Sequence, residues 1–207
     1  ARFFKPAYSI FLINKWLPSI EGAVATLTRG GSFADIGCGF GHSTTMIAEQ
    51  FPRSSIRGID PHEQSIHEAR KMAEQKNLNN LTYEIASAEN YTGEYDIISF
   101  FDCLHDMGDP VAAISYAKTK LKAGGALMII EPYADDEVSK NFNIIGQMYY
   151  SFSTIACVPA SKSQNVGLAL GAQAGLKKLT NVLNNGGFSQ VEMTYKTASN
   201  MVIEARI

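Results

Sequence analysis

A chain of 207 residues, 45% hydrophobic and 18% charged, has material for one sizeable core and at most two small domains. A net charge of −2 and a pI of about 6.1 give no electrostatic footprint for nucleic acid or an anionic membrane, and no apolar run is long enough to span a bilayer. Cys38, Cys103 and Cys157 form no CxxC pair, so they suggest neither a disulfide framework nor a zinc site and fit a reducing cytoplasm.

The chain starts without Met, and Arg2-Phe3-Phe4-Lys5-Pro6 runs straight into an apolar stretch from Tyr8 to Leu17. That start lacks the basic n-region and cleavage site of a signal peptide. Residues 1–30 are expected to be helical and to belong to a longer protein. In that segment Tyr8, Phe11 and Trp16 can close over a ligand or a homodimer interface. From Ser32 onward, short β-rich runs alternate with longer helical stretches, the pattern of an α/β domain with a mostly parallel sheet. Strands are predicted at 32–37, 55–60, 81–86, 95–101 and 126–131, with helices at 42–50, from Pro61 to residue 76, and at 110–122. The fourth strand is apolar throughout and should be central. Beyond Pro132 an aromatic- and Met-bearing helical insertion is predicted at about 134–165, and a helix over 167–185 closed by Gly186-Gly187. A terminal hairpin of strands at 188–196 and 200–207 adds one antiparallel member.

Three segments carry chemistry. The first is the loop Asp35-Ile36-Gly37-Cys38-Gly39-Phe40-Gly41 between strand one and its helix. Glycine allows a tight turn and close approach to a ligand, and the following helix presents free N–H groups and the positive end of its dipole. A dinucleotide fingerprint would need a third glycine at position 42, where His42 stands. The second is Asp60, ending strand two before Pro61. It can accept hydrogen bonds from both hydroxyls of a ribose, or cap the next helix. His62 is close enough to be a ribose neighbour or an ordinary exposed first-turn residue. Ala86-Ser87-Ala88-Glu89 follows strand three, and Glu89 there can cap a turn. The third runs from Phe100 to Pro110 after the central strand, where ligands of such sheets bind. His105 there is a natural proton acceptor, and Glu131, ending the neighbouring strand, can orient it. Asp102, His105, Asp106 and Asp109 resemble a metal cluster, but carboxylates near a loop more often serve as caps.

The G-x-G-x-G spacing with Asp35 and Asp60 resembles the first motifs of class I S-adenosylmethionine-dependent methyltransferases. Leu104-His105-Asp106 and Glu131-Pro132 resemble winged-helix O-methyltransferases, with a nearer similarity to winged-helix methyltransferase-domain proteins, some of them labelled regulators. That similarity runs over Phe101 to Pro110, Glu131-Pro132 and Val166 to Gly175. It implies a Rossmann-like seven-stranded mixed sheet of order 3-2-1-4-5-7-6, strand 7 antiparallel, with helices on both faces. The methyltransferase domain would cover 31–207, with residues 1–30 leading from a winged-helix domain. It implies S-adenosylmethionine binding by Asp35, Gly37, Cys38, Gly39, Gly41, Asp60, Pro61, Ala88, Glu89, Asp102 and Cys103, with S-adenosylhomocysteine as product. His105 would be the base, Glu131 its partner, and no metal would be required. The partner would be a small-molecule acceptor, with no nucleic acid or membrane bound through this domain. The chain departs from the pattern at two positions. Met107 stands where the O-methyltransferases have Trp, and Gln173 falls where they place a further Glu. Three functions compete: methyl transfer to a small aromatic or apolar acceptor, a ligand-binding sensor with little catalysis, and an NAD-dependent oxidoreductase, which the glycine spacing disfavours.

Overall fold

The computed structural model describes residues 5–207. The first four residues of the expected helical start lie outside the described residues. Helix α1 (Lys5–Ala7) continues into a wide π-type helix, Tyr8–Trp16, and a 3-10 turn, Leu17–Ser19. Leu12, Trp16 and Leu17 are fully buried. Burying each leucine contributes about 1.5–3 kcal/mol, which holds this segment on the sheet although its turns are irregular. Helix α2 (Ala23–Thr28) follows.

The alternating part folds as expected through β1 (Ser32–Ile36), α3 (His42–Gln50), β2 (Ser55–Asp60), α4 (Glu63–Gln75), β3 (Leu81–Ile85) and β4 (Tyr95–Phe101). Helix α4 begins later than the Pro61 start predicted for it, because His62 is its cap: His62 Nδ1 accepts from Ser65 N at 3.3 Å. Helix α5 (Pro110–Lys120) ends two residues early. Strand β5 (Leu121–Pro132) accordingly begins well before Ala126, with Leu121 paired to Tyr95 ahead of a bulge. The insertion contains a 3-10 turn (Val138–Asn141), α6 (Ile144–Phe152), a π-type turn (Ser153–Cys157) and α7 (Val158–Lys162).

The helix expected over 167–185 is corrected: only α8 (Gly175–Asn185) forms. Gly167 and Gly171, and more unusually Val166 and Ala169, take positive φ between 55° and 69°, which an α-helix cannot accommodate. The segment instead lies against the loop after β4, with Leu168 N donating to Gly108 O (2.9 Å) and Gly171 N to His105 O (3.3 Å). The expected first half of the helix thus gives way to tertiary backbone pairing.

The hairpin β6 (Gln190–Lys196) and β7 (Asn200–Arg206) completes one sheet of order β3-β2-β1-β4-β5-β7-β6. Strands β1 to β5 pair in parallel, and β7 runs antiparallel to both β5 and β6. One face, including Phe33, Ile97 and Phe101, packs on Leu12, Trp16, Ile47 and Ile66. The other, including Ala34, Ile98 and Phe100, packs on Ile114 of α5 and Leu179 and Leu183 of α8. Helices therefore cover both faces, and the carboxyl ends of β1, β2, β4 and β5 meet at one edge. Among the described residues no helix is long and apolar enough to cross a membrane.

Candidate active site

The loop after β1 is held from beneath. Asp35 is fully buried, and its Oδ2 accepts from Ser43 Oγ and Thr44 Oγ1, both at 2.7 Å, tying β1 to the first turn of α3. Burial pushes its carboxyl up to about 6, against the opposing pull of those hydroxyls. The three glycines all have φ between 52° and 72°. A Cβ at Gly37 would lie 2.7 Å from Cys103 Sγ, and one at Gly41 would run into the Tyr83 ring. At Gly39 it would meet nothing within 4 Å. Only Gly39 therefore turns its bare side to open space.

Gly39 N also donates to Asp60 Oδ2 at 2.9 Å, while His62 N donates to Oδ1 at 2.8 Å. The carboxylate of Asp60 spans from the glycine loop to the start of α4. Tyr8, Gly37 to Phe40, His42, Ser43 and Phe101 to Cys103 line a cleft of about 250 Å³ beside this loop. Pro61, Ala88 and Glu89 do not line it. Pro61 is exposed, and Ala88 and Glu89 sit in a turn closed by Ser87 and Asn90.

At the end of β4, Asp102 takes a left-handed φ of 51° and is buried. Its Oδ2 accepts from Tyr8 Oη (2.9 Å) and its Oδ1 from Asn200 Nδ2 (3.0 Å). Burial and the neighbouring Glu131 charge push this carboxyl up to about 7. Cys103 is driven up by burial, remains a thiol, and points to Ile36 O at 3.2 Å.

His105 is 3% exposed and Glu131 1% exposed. His105 Nδ1 is hydrogen-bonded to Glu131 Oε2. Glu131 Oε1 accepts from Leu104 N (3.0 Å) and His105 N (3.3 Å), so one carboxylate fixes both the ring and its backbone. Burial alone would lower the imidazole. The Glu131 charge, the Cys157 thiol, the Glu131 hydrogen bond and the Asp106 charge together hold it well above the usual histidine range. The four-donor cluster considered from the sequence does not assemble. Asp109 caps α5, accepting from Ala112 N at 2.9 Å, and Asp102 is committed to Tyr8 and Asn200. Gln173 donates through Nε2 to Ala172 O at 3.2 Å. Sequence reasoning missed Cys157 and Asn200. They lie far along the chain from the residues they meet, and no local spacing signals either contact.

A sheet of this order, opened by a glycine loop facing an acidic residue on the next strand, is the class I methyltransferase arrangement. The chain belongs to the methyltransferase domain family, whose model matches residues 27–187. It is 30% identical over 129 residues to a ubiquinone biosynthesis O-methyltransferase of Acinetobacter baylyi, an alignment covering 59% of this chain and 51% of that protein. The chain thus spans about half the length of the curated relatives it matches. Its fold is similar to that of an O-methyltransferase family protein from Burkholderia thailandensis (TM-score 0.73, 17% identity, covering 99% of this chain and 56% of that one). It is also similar to human N-acetylserotonin methyltransferase in complex with SAM (TM-score 0.68, 15% identity, covering 99% and 55%).

Proposed function

We propose that this domain transfers a methyl group from S-adenosylmethionine to oxygen, less readily nitrogen, of a small aromatic or apolar acceptor. Within the family we group it with the winged-helix methyltransferase-domain proteins, on the wording of Phe101 to Pro110 and Val166 to Gly175. The observation that carries the reading is the pairing of Gly39 with Asp60 beside the cleft. An open glycine next to a carboxylate already aimed by two backbone donors suits a nucleoside with free ribose hydroxyls. S-adenosylmethionine, when bound, supplies a methyl group on an electrophilic sulfonium.

The remaining roles belong to this chain's own side chains. Gly37, Cys38 and Gly41 shape the loop, and Asp35 positions it through Ser43 and Thr44. Asp102 and Cys103 form the wall opposite, where an ionised Asp102 favours a cationic neighbour. Pro61, Ala88 and Glu89, outside the lined cleft, would flank the ribose and adenine end of a nucleoside that extends beyond it. His105 is the proton acceptor for a hydroxyl nucleophile, and Glu131 holds its tautomer and stabilises its charged form. Its ring must first release the proton that Glu131 and Asp106 hold on it.

That last point favours one alternative, a sensor that binds the sulfur nucleoside with little turnover, and Gln173 in place of a carboxylate points the same way. Calorimetry with S-adenosylmethionine, S-adenosylhomocysteine and NAD tests the main reading; binding of neither sulfur nucleoside sinks it. Asp60→Ala should weaken S-adenosylmethionine binding by about 1–3 kcal/mol, the cost of losing hydrogen bonds to a charged group. A screen of phenolic acceptors with wild type and His105→Ala then separates enzyme from sensor. Equal turnover by the two proteins removes His105 as base.

A further inference from the structure

We propose that His105, Asp106 and Cys157 form a binding site for a thiophilic divalent cation of the zinc class, where the loop after β4 meets the helical insertion. Among the described residues this is the one place where three such donors converge. One ring nitrogen, one carboxylate oxygen and one sulfur lie within 4.8 Å of one another. The elements that bring them together are separate in sequence. The 3-10 turn Leu104–Asp106 supplies two donors, and the last residue of the π-type turn Ser153–Cys157 supplies the third.

One donor pair stands close to the separation that a tetrahedral ion sets. Zinc bonds of about 2.0–2.3 Å place neighbouring donor atoms roughly 3.3–3.6 Å apart. His105 Nε2 and Asp106 Oδ1 stand 3.2 Å apart. Yet Asp106 Oδ1, shielded from solvent, has no hydrogen-bond partner among the described residues. Two polar atoms at contact distance without hydrogen-bond alignment are arranged as two ligands of one ion are. The donor set of imidazole, thiolate and carboxylate suits zinc, and three protein ligands leave one coordination position for water or another small group.

The surroundings of His105 complete the case. A metal-bound histidine ordinarily gives its other ring N–H to a carboxylate, which fixes the tautomer and makes the ligand nitrogen more basic. Glu131 does this at Nδ1 while bonding the Leu104 and His105 amides, leaving Nε2 as the ligand atom. On binding, the imidazole and the thiol each release a proton to solvent, and no oxidant or reductant is involved. An ion held there ties the insertion to the β4 loop and occupies the Nε2 lone pair. The loaded chain and the chain with His105 free as a proton acceptor are thus mutually exclusive states.

The test is titration of the full chain with Co²⁺, a coloured tetrahedral substitute for zinc, followed by displacement with Zn²⁺. The expected result is one equivalent bound, showing a thiolate-to-cobalt charge-transfer band together with tetrahedral ligand-field bands. Cys157→Ser should lose the charge-transfer band, and Cys38→Ser should keep it. Competition with a chromophoric chelator should show Zn²⁺ affinity lowered about 10–100-fold in Glu131→Gln, and at least as much in Asp106→Asn. Absence of the charge-transfer band in wild type overturns the proposal whatever the variants do. So does its persistence in Cys157→Ser shown by circular dichroism to be folded. No methyl donor or acceptor enters the measurement, so its failure and the failure of the transferase reading are separate results.

Discussion

At Gly37 and Gly41 an added Cβ would collide with Cys103 and Tyr83, whereas at Gly39 it would enter open space. The loop's glycines therefore separate experimentally into those whose bare side the protein itself fills and one whose bare side is open. Gly39→Ala should cost about 1–2 kcal/mol of stability, from its left-handed φ alone, yet weaken S-adenosylmethionine binding strongly. Gly41→Ala should cost more in thermal unfolding, because the Tyr83 ring must move as well. Asp35 makes stability depend on pH. Its folded carboxyl titrates at about 6 rather than 3.8, so the folded state binds its proton more tightly than the unfolded state. This contribution to stability is fully present below about pH 4 and is lost as pH rises through about 6, a change of about 3 kcal/mol. Urea unfolding at a series of pH values should show the decline in wild type and a flatter profile in Asp35→Asn.

Among the elements, α5 owes its start to one side chain. Asp109 caps it and Pro110 occupies its first turn. Asp109→Ala should lower stability by about 0.5–2 kcal/mol, read from thermal unfolding, without altering Co²⁺ binding, since Asp109 is a cap and not a ligand. The parallel half of the sheet was legible because β1, β2, β4 and β5 close at Gly37, Asp60, Asp102 and Pro132, and helices such as α3 end at recognisable stops. The placement of Asp60, His105 and Glu131 at the carboxyl edge was legible for the same reason: each stands near the end of a strand or just beyond one. The segment 166–174 was not, because it runs without a Pro or a cap into the helical pattern of 175–185. What turns it into an irregular brace is its pairing with Gly108 O and His105 O, a long-range contact that no local window contains. Cys157 was hidden by the same distance.

For the molecule as a whole, the N-terminal helical segment is part of the core. Trp16, the chain's sole tryptophan, is fully buried, stacks on Phe11 at 5.7 Å, and has no hydrogen-bond partner for Nε1 among the described residues. Trp16→Ala should cost about 3–5 kcal/mol in denaturant unfolding. Trp16→Phe should cost much less, because it keeps most of the apolar volume and removes an unsatisfied donor. The carboxylate of Asp102 gives this integration a further meaning. It is grasped by Tyr8 from the first described helical segment and by Asn200 from the last strand. Closing that contact requires nearly the whole described chain to be in place, so the cleft is topologically a late assembly and carries the entropy of the longest loops. Fraying at either end of the chain would dissolve the pocket wall while the central strands stay paired. Ligand affinity should consequently decay before the global unfolding transition, making the pocket a more sensitive gauge of chain integrity than the sheet itself.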